Sequence, residues 1–276
     1  MQPMNKSVQA NWDIPLYDRR YQDLELSETN PIDVARLRAV SGAHSSDWLN
    51  AMPIPGLGLK MDDAHFRIAC GLRLGLSMCR PYTCVCGELV DTFARHGLSC
   101  RITKGRGPRH TQLNDQISRA LTTALVPNQR EPLGLVMGDM KRPDGMSLIP
   151  WKNGKYLAWD ITCNDTLATT YVTMTSVTAG GLANWSEDRK LEHYKDLGDR
   201  YIMTPIAIET MGSWGQISLE FIKELGARLT RVNKDGRSTS YLFQALSMTT
   251  QRGNAASILG TIPRADELEE IYYLVG

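Results

Sequence analysis

In Arg142-Pro143-Asp144-Gly145 the acid is followed, after fifteen intervening residues, by Asp160 in Tyr156-Leu157-Ala158-Trp159-Asp160-Ile161-Thr162. The second stretch reads as a buried strand, where an acid is costly unless a charged group or a metal partners it. The first falls within a strand candidate over Lys141 to Ile149, which Pro143 interrupts in a way that suits an edge or a strand start. Two carboxylates on neighbouring strands can hold Mg²⁺ or Mn²⁺, because these cations take oxygen ligands and keep waters. A metal so held polarises a phosphate and supplies hydroxide, while a lysine orients the water and offsets developing charge.

Further strands are predicted over Leu133 to Met137 and Tyr201 to Glu209. Helices are predicted around Pro31 to Val40, over residues 61 to 79 with Phe66, Ala69, Leu72 and Leu76 as apolar face, and through Leu113, Ile117, Leu121 and Leu125 up to Pro127. Others follow over Trp185 to Leu197 with Ser186 as cap, through Ile217 to Leu229, and from Tyr241 to Thr250. This order predicts an α/β fold with a mixed central sheet flanked by helices. Residues 1 to 60 read as a partly irregular lead-in, 61 to 104 as a helix plus a Cys/His element, and 105 to 276 as the main α/β domain.

Cys84, Cys86, His96 and Cys100 form the pattern C-x-C-x9-H-x3-C. Three thiolates and one imidazole make a closed structural Zn²⁺ site. Gly87 suits a tight knuckle turn, and His96 and Cys100, four residues apart, can share one face of a helical turn. Cys70, Cys79 and Cys163 read as small apolar residues.

The formal net charge of the 276-residue chain is only +1, which predicts no nucleic-acid partner by itself. Its distribution does more. Arg95, Arg101, Lys104, Arg106 and Arg109 fall in one segment free of acids, and such a segment can meet a phosphate backbone. No apolar run approaches the roughly 20 residues that span a bilayer, and the first residues lack the charged-then-apolar pattern of a secretory signal. An intracellular, reducing setting without a membrane is therefore expected, and there clustered Cys and His favour metal binding.

The series of Cys84, Cys86, His96 and Cys100, then Arg109-His110-x3-Asn114-Asp115, then Arg142-Pro143-Asp144, then Asp160 resembles the C-terminal region of non-long-terminal-repeat retrotransposons. In these elements a zinc knuckle precedes a restriction-like, PD-(D/E)XK endonuclease. The resemblance covers roughly residues 80 to 210. It implies a restriction-endonuclease-like fold and nicking of double-stranded target DNA in the nucleus, so that the new 3′ end primes reverse transcription. The parent element's RNA is a second partner of that kind. It also implies that Asp144 and Asp160 hold the catalytic metal, that Arg109 and His110 contact phosphate or order the site, and that Arg142 steadies the scissile phosphate; the basic segment adds Arg106 as a phosphate contact.

One position departs from the general nuclease pattern: two residues after the second acid stands Thr162, not lysine. In the retrotransposon branch the lysine moves to a following helix, in a Lys-x3-Tyr setting that Lys190 and Tyr194 match on one helical face. Glu187 shares that face, and Lys155 is the competing lysine. No Tyr-x-Asp-Asp motif of a reverse transcriptase is present, so a piece of a longer protein, a separately encoded nuclease and a decayed copy are all compatible readings. The alternative function is an inactive zinc-containing module that only binds nucleic acid.

Overall fold

The computed structural model describes residues 9–133 and 142–263. The chain runs through α1 (Gln9–Ser27), α2 (Pro31–Ser41), α3 (Asp63–Leu74), a short hairpin of β1 (Tyr82–Thr83) and β2 (Leu89–Val90), then α4 (His96–Ser99) and α5 (Arg106–Thr123). Next come β3 (Asn128–Arg130), β4 (Gly145–Lys152), β5 (Lys155–Asn164), α6 (Val172–Thr175), α7 (Gly181–His193), β6 (Tyr201–Glu209), α8 (Gln216–Asn233) and α9 (Ser238–Leu259). The four longer-range strands form one mixed sheet in the order β3-β4-β5-β6. Its first three strands are antiparallel, and β5 and β6 are parallel. Among the described residues no helix is long and apolar enough to cross a membrane.

β5 organises this sheet. Its pleat sends alternate side chains to opposite faces. Leu157, Trp159 and Ile161 join the main apolar cluster with Leu113, Ile117 and Leu121 of α5, Phe221 and Leu225 of α8, and Phe243 and Leu246 of α9. The intervening Asp160 looks the other way, toward α7. A strand buried on both faces reads as a continuous apolar run, and the acid within it is the exception. β4 contains Pro150 inside a sheet, which it tolerates through register shifts on either side of that residue.

Several elements differ from their sequence expectation. The strand expected over Leu133 to Met137 lies, beyond Leu133 itself, outside the described residues, and the strand expected from Lys141 is seen from Gly145 to Lys152. α1 is a helix where a partly irregular lead-in is expected; its Trp12, Ile14, Leu16 and Tyr17 are all exposed and keep to no single face. α3 ends at Leu74, because Gly75 takes a left-handed conformation at φ 70°. Its buried face is Ile68, Ala69 and Leu72, while Phe66 and Leu76 are exposed. Gly180, not Ser186, precedes the first turn of α7, and the Ser186 hydroxyl donates to Leu182 O instead.

Two helix boundaries bear on function. α5 begins at Arg106, with Pro108 in its first turn where a missing N–H costs nothing. α9 continues past Thr250 to Leu259, because the polar Gln251 and Asn254 are buried and donate to Thr210 O. A second apolar cluster joins α2, α3 and the Cys/His element to Ala255 and Ile258 of α9.

Gly145 leaves no room for a side chain. A Cβ there would run into the indole of Trp159, which is fully buried and fixed by its Nε1–H donating to Asn114 Oδ1 at 2.9 Å. Gly145→Ala should therefore destabilise the fold by about 1–3 kcal/mol, the usual cost of overpacking a rigid core. A lowered urea midpoint with unchanged slope checks this; an unchanged midpoint would mean that the indole gives way freely.

Candidate functional site

Asp144 immediately precedes β4, and Gly145 pairs with Trp159, so Asp144 and Asp160 sit beside each other on adjacent chains. The Asp144 backbone carbonyl accepts from Asn114 Nδ2 at 3.0 Å. Its Oδ2 accepts from Ile161 N at 2.6 Å and lies 3.0 Å from His110 Nε2. Oδ1 has no protein hydrogen bond among the described residues. Asn114 therefore locks two things at once: the chain at Asp144 and the indole of Trp159. His110 and Asn114, four apart on α5, reach Asp144 from one face of that helix.

Asp160 is 5% exposed. Its Oδ1 lies 2.6 Å from Lys190 Nζ, and its Oδ2 lies 2.7 Å from the Tyr194 hydroxyl. The same hydroxyl is 2.9 Å from the Arg142 carbonyl. It has one proton to donate, and the shorter, charged acceptor is the stronger. Lys190 and Tyr194 thus reach one carboxylate from one face of α7 and its carboxyl end. Burial raises the Asp160 pKa, Lys190 pulls it back down, and Asp144 pushes it up again. The hydrogen bond to Asp144 raises the His110 pKa against the effect of burial. Burial, followed by the bond to Asp160, raises that of Tyr194.

The other expected site residues are placed differently. Lys155 starts β5, five residues from Asp160 on extended chain, or about 16 Å away at the rise of a strand. Glu187 does not join Lys190: it turns to α8, where its carboxylate accepts from Ile217 N at 3.0 Å and Ser218 N at 2.8 Å. The unsatisfied amides of a helix start draw an acid there.

Arg109 is a correction too. It is 2% exposed, with Nη1 donating to Asn254 Oδ1 at 2.8 Å and its stem packed on Gly253. Spaced four apart, Arg109, Leu113 and Ile117 share the buried face of α5, so the Arg109 guanidinium is held by Asn254 and only its edge lines the hollow between β5 and the start of α5. Arg142 pairs its guanidinium with Glu131, and only its carbonyl enters the site. Arg106 is exposed at the start of α5.

A buried acid that the sequence does not single out, Glu209, stands at the end of β6. It is 1% exposed; Oε1 accepts from Ala183 N at 3.2 Å in the first turn of α7, and Oε2 has no hydrogen-bond partner among the described residues. Burial pushes its pKa up to about 7. Its place at the end of a strand that reads as apolar is the one signal that could have marked it.

Cys84, Cys86, His96 and Cys100 bring four ligand atoms within 4.8 Å of one another, a group that could hold a metal such as zinc. The Cys84 and Cys100 sulfurs are 3.7 Å apart, and Cys86 Sγ is 3.2 Å from His96 Nε2. A zinc tetrahedron with Zn–S bonds of about 2.3 Å has edges of about 3.8 Å, so the donor set fits the ion. Gly87, at φ 91°, makes the knuckle turn, its N–H donating to Cys84 O at 2.8 Å. Burial pushes the Cys84 thiol up to about 12, with Cys100 adding to the effect. A bound cation would reverse that by taking the thiolate.

No protein-family model matches this chain, and no curated protein matches it.

Two outcomes follow from this geometry. Protein prepared without chelators should hold about one zinc per chain, and Cys100→Ser should lose it and lower the melting temperature; metal analysis finding no zinc would refute the cluster. Glu209 binds a proton more tightly in the folded than in the unfolded chain, so its ionisation opposes folding. That penalty is absent below the ordinary value of 4.5 and grows until pH passes about 7. The stability of Glu209→Gln relative to the parent should therefore rise between these limits, followed by urea unfolding across pH; a flat difference would contradict the assignment.

Proposed function

We propose that the chain is a metal-dependent DNA endonuclease with a restriction-like core, whose two acids and displaced lysine cut one strand of a double-stranded target. The observation that carries this reading is the meeting of Asp144, Asp160 and Lys190, which come from a loop, a strand and a helix, at one place beside the sheet. A buried strand has no structural need of Asp160, whose burial costs stability.

The donor set suits Mg²⁺ or Mn²⁺, which bind through one or two carboxylates and keep several waters. Asp144 would offer its open Oδ1, and Asp160 the oxygen now facing Lys190. A cation held there would polarise the phosphodiester and make a bound water a better nucleophile. Lys190, released from Asp160 but kept within reach by α7, meets the charge that builds on the phosphate oxygens. Tyr194 holds Asp160 in orientation through its second oxygen. His110 does the same for Asp144, so neither acid has to be positioned by the cation itself. Within this reading the target is chromosomal DNA in a nucleus, and the nick primes insertion of a retrotransposon whose RNA is the second partner.

Nicking of supercoiled plasmid tests the proposal. It should require Mg²⁺ or Mn²⁺ and fall by about 100-fold or more in Asp144→Asn, Asp160→Asn and Lys190→Ala. Binding should persist in Ca²⁺, and Lys155→Ala should cut at the parent rate. If the parent protein cuts no DNA with either metal, the reading fails and the chain is a zinc-containing module that only binds nucleic acid.

A further inference from the structure

Three hollows adjoin along the carboxyl end of β5. The first, of about 560 Å³, lies between the Cys/His element and the chain that follows β5. The second, of about 470 Å³, lies between β5 and the start of α5. The third, of about 260 Å³, lies between β5 and α7, with Lys190 in its wall. Arg101, Arg106, Cys163 and Asn164 line both the first and the second, and Thr162 and Asn164 line both the second and the third. The three are therefore one groove, floored by the last residues of β5 and running from the Cys/His element past Lys190.

Its charge is one-sided. Arg95 and Arg101 stand on the wall made by the Cys/His element, Arg106 and His110 at the start of α5, and Arg189 and His193 on α7. Arg95 lies 3.9 Å from Asp33 and His110 3.0 Å from Asp144, so these two are partly neutralised, whereas Arg101, Arg106 and Arg189 have no acidic partner among the described residues. The lining acids are Asp91 and Asp165, both in the first hollow, with Asp165 buried against Thr210. The start of α5 has no side-chain cap, and its first turn carries arginine where an acid would be favoured. Such an end favours an anion from outside.

The groove also carries aromatic surface. Tyr171 lines the first hollow and Trp185 the third, their ring centroids 5.8 Å apart, and the exposed Arg189 lies over the Trp185 ring at 4.9 Å. Phosphates along a basic channel with bases against rings is how single strands are held. A paired duplex keeps its bases stacked inside and offers such a concavity only its phosphate rim.

We infer that this groove takes a single-stranded segment of nucleic acid, so that the strand to be cut enters the site unpaired, with the Cys/His element as one wall of its channel. The placement of the cut strand rests on the nuclease reading; binding by the groove is read separately. The element's metal then has a second consequence. His96 is both a ligand and a wall residue, Arg95 precedes it directly, and Arg101 follows Cys100. Holding the metal therefore holds two arginines at the groove.

The test is fluorescence anisotropy of the full chain, with Ca²⁺ in place of Mg²⁺, on labelled oligonucleotides of about 16 nucleotides. The probes are a single strand, the paired duplex, and the duplex with a short unpaired bubble. The single strand and the bubble should bind about tenfold tighter than the paired duplex. Arg101→Glu and Arg189→Glu should each weaken single-strand binding about tenfold. Each should also flatten its salt dependence, by about 0.7 in log–log slope for every phosphate no longer neutralised. Trp185→Ala should lose about tenfold and Trp185→Phe much less. Lys223→Glu, on the exposed face of α8, should change nothing.

Cys100→Ser should resemble Arg101→Glu; if it does not fold, the two arginine variants carry the test. Equal affinity for paired and unpaired probes, or full affinity in Arg101→Glu and Trp185→Ala, overturns the inference. If the variants behave as expected but the parent never cuts with Mn²⁺, the groove stands and the nuclease reading falls. If the parent cuts but none of these variants weakens binding, the groove falls and the nuclease reading stands.

Discussion

A carboxylate in the middle of a strand buried on both faces has to be met by groups that come to it, because water cannot. Asp160 is in that position. β4 and β6 flank its strand, the α5, α8 and α9 side takes Trp159 and Ile161, and only the α7 side is left for the acid. α7 must therefore pass close enough for Lys190 to reach one oxygen and Tyr194 the other. Much of the surrounding structure holds α7 in that place. Glu209 receives the Ala183 amide in its first turn, Asn164 donates to Ser186, and Glu187 ties the helix to the start of α8. The first and the last are polar contacts in a dry interior, where a missing partner is costly.

The second acid is held by a different device. Asn114 donates to the Asp144 carbonyl and accepts from Trp159, so one amide side chain couples the chain ahead of β4 to the largest side chain in the core. Gly145 permits this by letting the indole lie against the backbone beside Asp144. The two carboxylates are thus positioned by independent contacts, one from α5 and one from α7, and they meet because β4 and β5 pair in antiparallel register.

The Cys/His element is not an appendage to this core. Val85 N donates to Thr261 O at 3.0 Å just beyond α9, and Cys84, Cys100 and Leu98 share an apolar cluster with Ile258. The same α9 buries Phe243 and Leu246 in the sheet-side core. One helix therefore joins the two apolar clusters and carries the Cys/His element against the core.

Much of this was legible in the sequence. The strand Tyr201–Glu209 is legible with its own boundaries, because a short, nearly continuous apolar run ends at the turn signal Thr210-Met211-Gly212. The spacing of Cys84, Cys86, His96 and Cys100 marked a metal group, because ligands close in sequence need little tertiary help to converge. Lys190 and Tyr194 share a face by helical geometry alone. Four features depended on tertiary structure: the buried turn of Arg109, the continuation of α9 through Gln251 and Asn254, the capping role of Glu187 and the buried Glu209. In each a polar side chain finds a partner distant along the chain. Periodicity reports which face is apolar, and local spacing reports which ligands are neighbours. Neither records where a buried polar group finds its hydrogen bond, because that partner exists only once the elements have packed.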